Sequence, residues 1–260
     1  MTTPMHTNQD HPSDNSSTDH NQKVQKQAKQ SHSSKNYTAV QDIVPVPRLC
    51  KQRITKFFAS ITNAQKLRYT QDWLELLPKS KHAALNRWRF AYCTVHTPWL
   101  RSCEQYDIIK NTNNQQSYTD LVAKLKNTSG GMWSIKATGI DNLQKLWLSN
   151  PQLFKPTDSW QSWRDVLASK LNKLGMAKTS FAIEMLYPTT AQIICIDRHM
   201  FKAFGWHRVD DSASIRQYRY YEDYWLDLSK SYQIQPVIAR NIFWDKIQKQ
   251  SSSHYWANYL

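Results

Sequence analysis

The sequence predicts an all-α protein, and three observations carry that reading. Apolar residues recur at three- and four-residue spacing through most of the chain after residue 50. No segment alternates apolar and polar residues as a strand would, and no Asn-Gly or Asp-Gly hairpin signal occurs. Glycine is scarce, five in 260 residues, so each is expected to mark a turn the backbone needs. Hydrophobic residues make up 40% of the chain, enough to build a core in one large domain or two small ones.

Residues 1–36 are Gln, Asn, Ser, Thr, His and Lys with almost no apolar side chains. Such a composition does not offset the entropy of ordering, so residues 1–40 are predicted to be a disordered polar tail. Its histidines (His6, His11, His20 and His32) are irregularly spaced, as solvated filler is, rather than grouped as metal ligands. The helical domain is predicted over 41–260, entered through an extended stretch with Pro45 and Pro47. Ile54, Phe57, Phe58 and Ile61 define one face of a first helix. Residues 72–77 form a short helix ended by Pro78, and His82 to Val95 a longer one with Leu85, Trp88, Phe90 and Tyr92 as its apolar members. Thr97-Pro98-Trp99 opens the next helix, with proline in the first turn, and residues 111–117 are a loop. Tyr118 to Leu125 is helical up to the break at Ser129-Gly130-Gly131. Asp141 to Leu148 is stopped by Asn150-Pro151, and Asp158 is the expected cap of a helix running from near Trp160 to Leu171. Arg198 to Phe204 ends at Gly205, and helices over Ser214–Tyr232 and Pro236–Ile247 complete the chain.

The formal net charge is +14, and it does not come from the tail. There Lys23, Lys26, Lys29 and Lys35 stand against Asp10, Asp14 and Asp19, a net of +1, which leaves +13 on the folded body. A basic body fits a polyanionic partner, nucleic acid before an anionic membrane surface. No run of about 18 apolar residues is long enough to span a bilayer. The N-terminus has no apolar signal core, so an intracellular, DNA-associated protein is expected, in the cytoplasm or nucleoid if the source is bacterial. Cys50, Cys93, Cys103 and Cys195 form no C-x-x-C pair and have no histidine cluster beside them. They read as reduced, mostly buried thiols, not as a metal or cluster site.

The most informative stretch is 174–200. Leu174-Gly175-Met176-Ala177-Lys178 puts a lysine near the start of a helix that follows a tight turn, and Ile193-Ile194-Cys195-Ile196-Asp197-Arg198-His199 puts an aspartate after a short apolar run. The backbone N–H groups that open the second helix, with its dipole, suit a phosphate, and Lys173 adds a positive charge at the turn. Ala177, Phe181, Met185 and Leu186 are expected to face the core, with Lys178 offset toward a groove. Taken singly, Lys178 is an ordinary solvated lysine and Asp197 an ordinary N-cap. An amine and a carboxylate in this order suit chemistry at a sugar carbon that becomes cationic.

This stretch resembles the helix-hairpin-helix DNA glycosylase superfamily, which includes endonuclease III, adenine glycosylase and 8-oxoguanine glycosylase. Leu174-Gly175-Met176-Ala177-Lys178 matches the hairpin, at about 165–188, and Ile196-Asp197-Arg198-His199 the V-D-x-H motif, at about 193–200. The chain departs from the family's G-x-G hairpin by carrying Lys173 where the first glycine stands, and the turn is shifted by one residue relative to the lysine. It also lacks the four-cysteine pattern of the iron–sulfur members. The resemblance implies a two-lobed all-α fold without a cluster, acting as a monomer on double-stranded DNA that contains a damaged base. It implies Lys178 as nucleophile and Asp197 as the carboxylate that stabilises the oxocarbenium charge, in a bifunctional glycosylase and AP lyase. Lys173, Gly175, Met176, Arg198, His199 and Lys202 are the expected DNA contacts, with a monovalent cation on the hairpin carbonyls as the one inorganic partner it allows. His96 and Trp99, at the turn that enters the duplex, and Phe243 and Trp244, on the last helix, are candidates for the wedge and the base pocket. A monofunctional glycosylase, an abasic-site lyase, a non-catalytic helix-hairpin-helix module and an RNA- or lipid-binding helical protein remain as alternatives. The lesion is open: oxidised purine is favoured by the lysine and its spacing, beside oxidised pyrimidine, uracil and mispaired bases.

Overall fold

Extended backbone leads from Ile43 into the first helix, tied down at Val44. Its N–H donates to the Gln217 amide oxygen (2.7 Å), and its carbonyl accepts from the same side chain (2.9 Å). In this computed structural model the described residues are 43–111, 116–206 and 214–260, and all of them belong to one unit. The polar tail predicted over 1–40, its histidines, and the middle of the loop predicted at 111–117 lie outside the described residues.

Eleven α-helices and two 3-10 turns, with no strand, make up the regular structure of the described residues. α1 (Arg48–Ala59) buries Ile54, Phe57 and Phe58, as its periodicity predicts. α2 (Asn63–Glu75) starts at Asn63 rather than at Asp72. The reason is a reciprocal cap: Gln65 N donates to Thr62 Oγ1 (3.1 Å) and Thr62 N to Gln65 Oε1 (3.0 Å). α3 (Lys81–Cys93) is capped by Ser80 and buries every residue from Leu85 to its end. Pro98 is the N-cap of α4 (Trp99–Ile109), one position before the first turn where it was expected. α5 (Tyr118–Lys126) is as predicted.

α6 (Trp133–Ser149) begins at Trp133 rather than Asp141. Gly139 and the β-branched residues around it weaken the local helix signal, and packing overrides them. A Cβ at Gly139 would lie 2.1 Å from the Tyr92 ring and 2.9 Å from the Asn172 carbonyl. Gly139 is therefore a point of close approach between helices and not a turn residue. After a 3-10 turn at Pro151–Phe154, α7 (Trp160–Lys170) is capped by Ser159, whose hydroxyl accepts from Ser162 N, and not by Asp158. α8 (Met176–Leu186) has no single apolar stripe: every residue from Thr179 to Leu186 is buried, because the helix runs through the centre. α9 (Arg198–Ala203), α10 (Ile215–Ser231) and α11 (Pro236–Ile247) match their predicted positions, and a 3-10 turn at Ser253–Asn258 was not anticipated.

The helices sort into two lobes. α3 to α8 pack on one another in the first; α1, α2, α10 and α11, with the C-terminal turn, form the second. Trp256 of that turn is buried at the junction, with its ring against Trp73, Phe90, Trp99 and Phe181. Polar links also cross it: Arg164 pairs with Glu222 at 2.6 Å with both side chains fully buried. All four cysteines are free, with Cys93, Cys103 and Cys195 buried. Among the described residues, no helix is long and apolar enough to cross a membrane.

Candidate active site

The turn between α7 and α8 is built around Lys173, which is exposed and has a φ of 66°. The backbone takes the left-handed conformation that glycine ordinarily supplies, at the position where the hairpin's first glycine was missing. Two bonds to the first lobe hold the turn there. The Tyr92 hydroxyl donates to the Asn172 carbonyl (3.0 Å), and Asn172 N donates to Asn142 Oδ1 (3.0 Å). Gly175, the N-cap of α8, has an ordinary φ of −74°. A Cβ there would meet no atom of the chain within 4 Å. No side chain caps this helix, so its first N–H groups are open to an anion.

Lys178, half-buried in the first turn of α8, has its Nζ 5.5 Å from the Phe181 ring centroid. The Arg240 guanidinium stands 5.9 Å from the same ring. Phe181 is thus the shared neighbour of Lys178 and of the arginine that holds Asp197.

The apolar run Ile193–Ile196 is buried yet belongs to no helix or sheet, so side chains must satisfy its backbone. Glu222 accepts from Ile194 N (3.1 Å), Glu184 from Cys195 N (2.7 Å), and the Tyr218 hydroxyl from Ile196 N (3.0 Å) while donating to Ile194 O (2.8 Å). This scaffold delivers Asp197 to the head of α9. Asp197 Oδ1 caps that helix, accepting from His199 N (2.9 Å) and Met200 N (3.0 Å). Oδ2 accepts from Arg240 Nη2 (3.2 Å). Arg240 Nη1 also lies 3.6 Å from Glu184 Oε2. Burial pushes the Glu184 carboxyl up to about 7, with Arg240 pulling the other way. Burial works against the charge on Arg240, but Glu184 together with its other acidic neighbours, Asp197 among them, outweighs it and holds the guanidinium above its ordinary value. Burial pushes the Cys195 thiol up to about 12, which makes it inert.

The structure gathers several of the predicted site residues and disperses others. His199 is exposed and meets Trp244 edge to face, with ring centroids 5.1 Å apart; Arg240 lies 5.2 Å from the same Trp244 ring. Lys178, Asp197, His199 and Trp244 are therefore linked through Phe181 and Arg240. Arg198 and Lys202 are exposed one turn apart on α9, and Met176 is half-buried at the hairpin. His96 is exposed on the turn between α3 and α4 with a φ of 47°. Trp99, in contrast, is set against Phe90, Tyr255, Trp256 and Tyr259, and Phe243 against Phe57 and Trp225. Both residues are half-buried in this packing.

Sequence reasoning missed Arg240, Glu184, Glu222 and Tyr218. Each sits in a helix among apolar or aromatic neighbours, and nothing local distinguishes it from a surface residue. It also missed Lys136 of α6, fully buried, which donates to the Thr97 hydroxyl and the Gln105 amide oxygen. Burial pushes this lysine down to about 8. It pins the residue next to His96, so the exposed turn rests on a fixed base.

No family model and no curated protein sequence matches the chain. Solved structures do. The 8-oxoguanine DNA glycosylase of Thermotoga maritima is similar with a TM-score of 0.64 at 15% identity, over 78% of this chain and 99% of that one. The 8-oxoguanine DNA glycosylase of Methanocaldococcus jannaschii gives 0.62 at 16% identity, over 79% and 96%. The glycosylase/lyase of the same organism, bound to a 15-mer DNA containing 8-oxoguanine, gives 0.63 at 15%, over 78% and 98%. The all-α, two-lobed architecture of the described residues is therefore the fold seen in these 8-oxoguanine DNA glycosylases.

Proposed function

We propose that the protein is a base-excision DNA glycosylase with AP lyase activity, acting on double-stranded DNA with an oxidised purine as its favoured lesion. The observation that carries this reading is that Lys178 and Arg240, the arginine bonded to Asp197, stand against the same Phe181 ring. The fold shared with 8-oxoguanine glycosylases supports the choice of lesion.

In the mechanism, the damaged base leaves the stack and enters the junction, at a cost of a few kcal/mol. The Lys178 amine bonds to C1′ as the N-glycosidic bond breaks, and the base departs with the bonding electron pair and takes up a proton. The Asp197 carboxylate stabilises the positive charge that develops at C1′ and accepts the proton that Lys178 sheds. Opening of the sugar ring gives a Schiff base. Loss of a C2′ proton then expels the 3′-phosphate and nicks the strand, and water releases Lys178. The open N–H groups at Gly175 and Met176 hold a phosphate beside the lesion, with Lys173, Arg198, His199 and Lys202 along the backbone. The Leu171 and Asn172 carbonyls accept from Leu174 N and the Tyr92 hydroxyl and each keeps a lone pair, so they fit a monovalent cation held by backbone oxygens. Such an ion would add positive charge beside the phosphate.

Borohydride trapping tests the reading. Duplexes carrying 8-oxoguanine, thymine glycol, uracil or an abasic site are incubated with the protein and reduced. A covalent adduct on 8-oxoguanine and on the abasic site, absent in Lys178→Gln, is expected. Excision without any adduct would replace it with a monofunctional glycosylase. Lesion-independent binding without excision would leave a DNA-binding module.

Lys173 separates hairpin geometry from hairpin charge. Lys173→Gly relieves about 1–2 kcal/mol of left-handed strain and adds about 0.4–1 kcal/mol of unfolded-state entropy, so a net gain near 0.5–1 kcal/mol is expected in urea unfolding. The same variant should bind duplex more weakly, with a salt dependence smaller by about one counterion. An unchanged salt dependence would remove Lys173 from the phosphate contacts.

A further inference from the structure

Arg240 is 2% exposed and reaches two carboxylates of different standing. Glu184, also 2% exposed, spends Oε1 on the backbone of Cys195 and turns Oε2 toward Arg240 Nη1 at 3.6 Å. The Asp197 side chain is 16% exposed, spends Oδ1 on the head of α9, and takes the tighter 3.2 Å bond from Nη2. Each carboxylate thus has one oxygen fixed by backbone and the other facing one guanidinium. The Phe181 and Trp244 rings bound that guanidinium at 5.9 and 5.2 Å. Arg240 Nε and Nη1 make no hydrogen bond, so the bond to Asp197 is the one its planar fork is set to make.

Resting on the glycosylase reading, we infer that Arg240 is a positioning residue for the Asp197 carboxylate, with Glu184 as the counter-charge that holds the guanidinium in place. The cap bonds alone leave Asp197 free to rotate its second oxygen. Arg240, itself set against the Phe181 ring that Lys178 also meets, fixes that oxygen. A misplacement of about 1 Å at a reacting centre costs on the order of 10²-fold in rate, which sets the size of the expected effect.

The rival account is that Arg240 only neutralises buried Glu184. The two accounts part in the double variant Arg240→Met/Glu184→Gln. It removes the buried charge pair as a unit, and such replacements are often neutral for stability, whereas breaking one partner is not. The double variant is therefore expected to melt near wild type and to bind a duplex with a reduced abasic-site analogue within about two-fold of wild type. Its single-turnover excision should nevertheless be slower by about 10²-fold. Arg240→Lys serves as the second variant. It keeps the charge beside Glu184 but reaches only one carboxylate squarely, so it should fold normally and lose about ten-fold in rate. A wild-type rate in either folded variant overturns the inference and leaves the glycosylase reading intact. Inactivity of the wild-type protein on every lesion duplex overturns the glycosylase reading, and the inference with it.

Discussion

Asp197→Asn is expected to leave a folded protein whose single-turnover excision is slower by about 10²–10³-fold, the usual consequence of removing one preorganised charge from a transition state. The two carboxylate oxygens of Asp197 do different work. Oδ1 caps α9 through His199 N and Met200 N, and asparagine is as good an N-cap as aspartate. Oδ2 accepts from Arg240, and the amide nitrogen that replaces it faces a donor. The variant thus keeps the cap, loses the anion, and leaves Arg240 with Glu184 alone, for a stability loss of about 1–3 kcal/mol. Asp197→Ala removes the cap as well, which adds about 1 kcal/mol. Melting by circular dichroism beside the excision rate makes the comparison. If asparagine restored the rate while alanine did not, Asp197 would be a cap and its charge irrelevant to the chemistry.

The lysine, the aspartate and most helices were legible in the sequence because their signals are local. Prolines, caps and three-four spacing lie within a turn of the residues they govern. What was not legible depended on partners far along the chain. α6 runs on through Gly139, where that residue sits against Tyr92 of α3. Burial of α8 on all sides reflects the two lobes meeting around it. Arg240 becomes meaningful only when α11 comes against Glu184 and Asp197. The glycine expectation held at Gly131 and Gly205, whose φ values are 60° and 83°, and failed at Gly139 and at the α7–α8 turn. The left-handed position of that turn falls on Lys173, whose φ is 66°, while Gly175 two residues on has an ordinary backbone. The Thr62-x-x-Gln65 cap of α2 was in plain view, and reading it would have placed that helix correctly.

Two glycine-to-alanine substitutions should therefore behave in opposite ways. At Gly139 the new Cβ would lie 2.1 and 2.6 Å from Tyr92 ring atoms and 2.9 Å from the Asn172 carbonyl. Tyr92 is fully buried and its hydroxyl is bonded to that same carbonyl, so the ring cannot retreat without releasing the hairpin. Alanine in a helix interior gains about 0.5–1 kcal/mol over glycine, but overpacking of this kind costs about 1–3 kcal/mol and more when backbone must move. Gly139→Ala should lower the melting temperature by several degrees, at roughly 2–4 °C per kcal/mol for a chain of this size. At Gly175 the φ is −74° and a Cβ meets nothing, so alanine should be neutral to slightly stabilising. On the proposed function, the loss in Gly175→Ala appears only against DNA, where the methyl group stands between the backbone N–H groups and a phosphate. Salt-dependent binding to a lesion duplex, measured beside thermal melting, reads both. A Gly139→Ala protein as stable as wild type would mean that the α3–α6 crossing has slack.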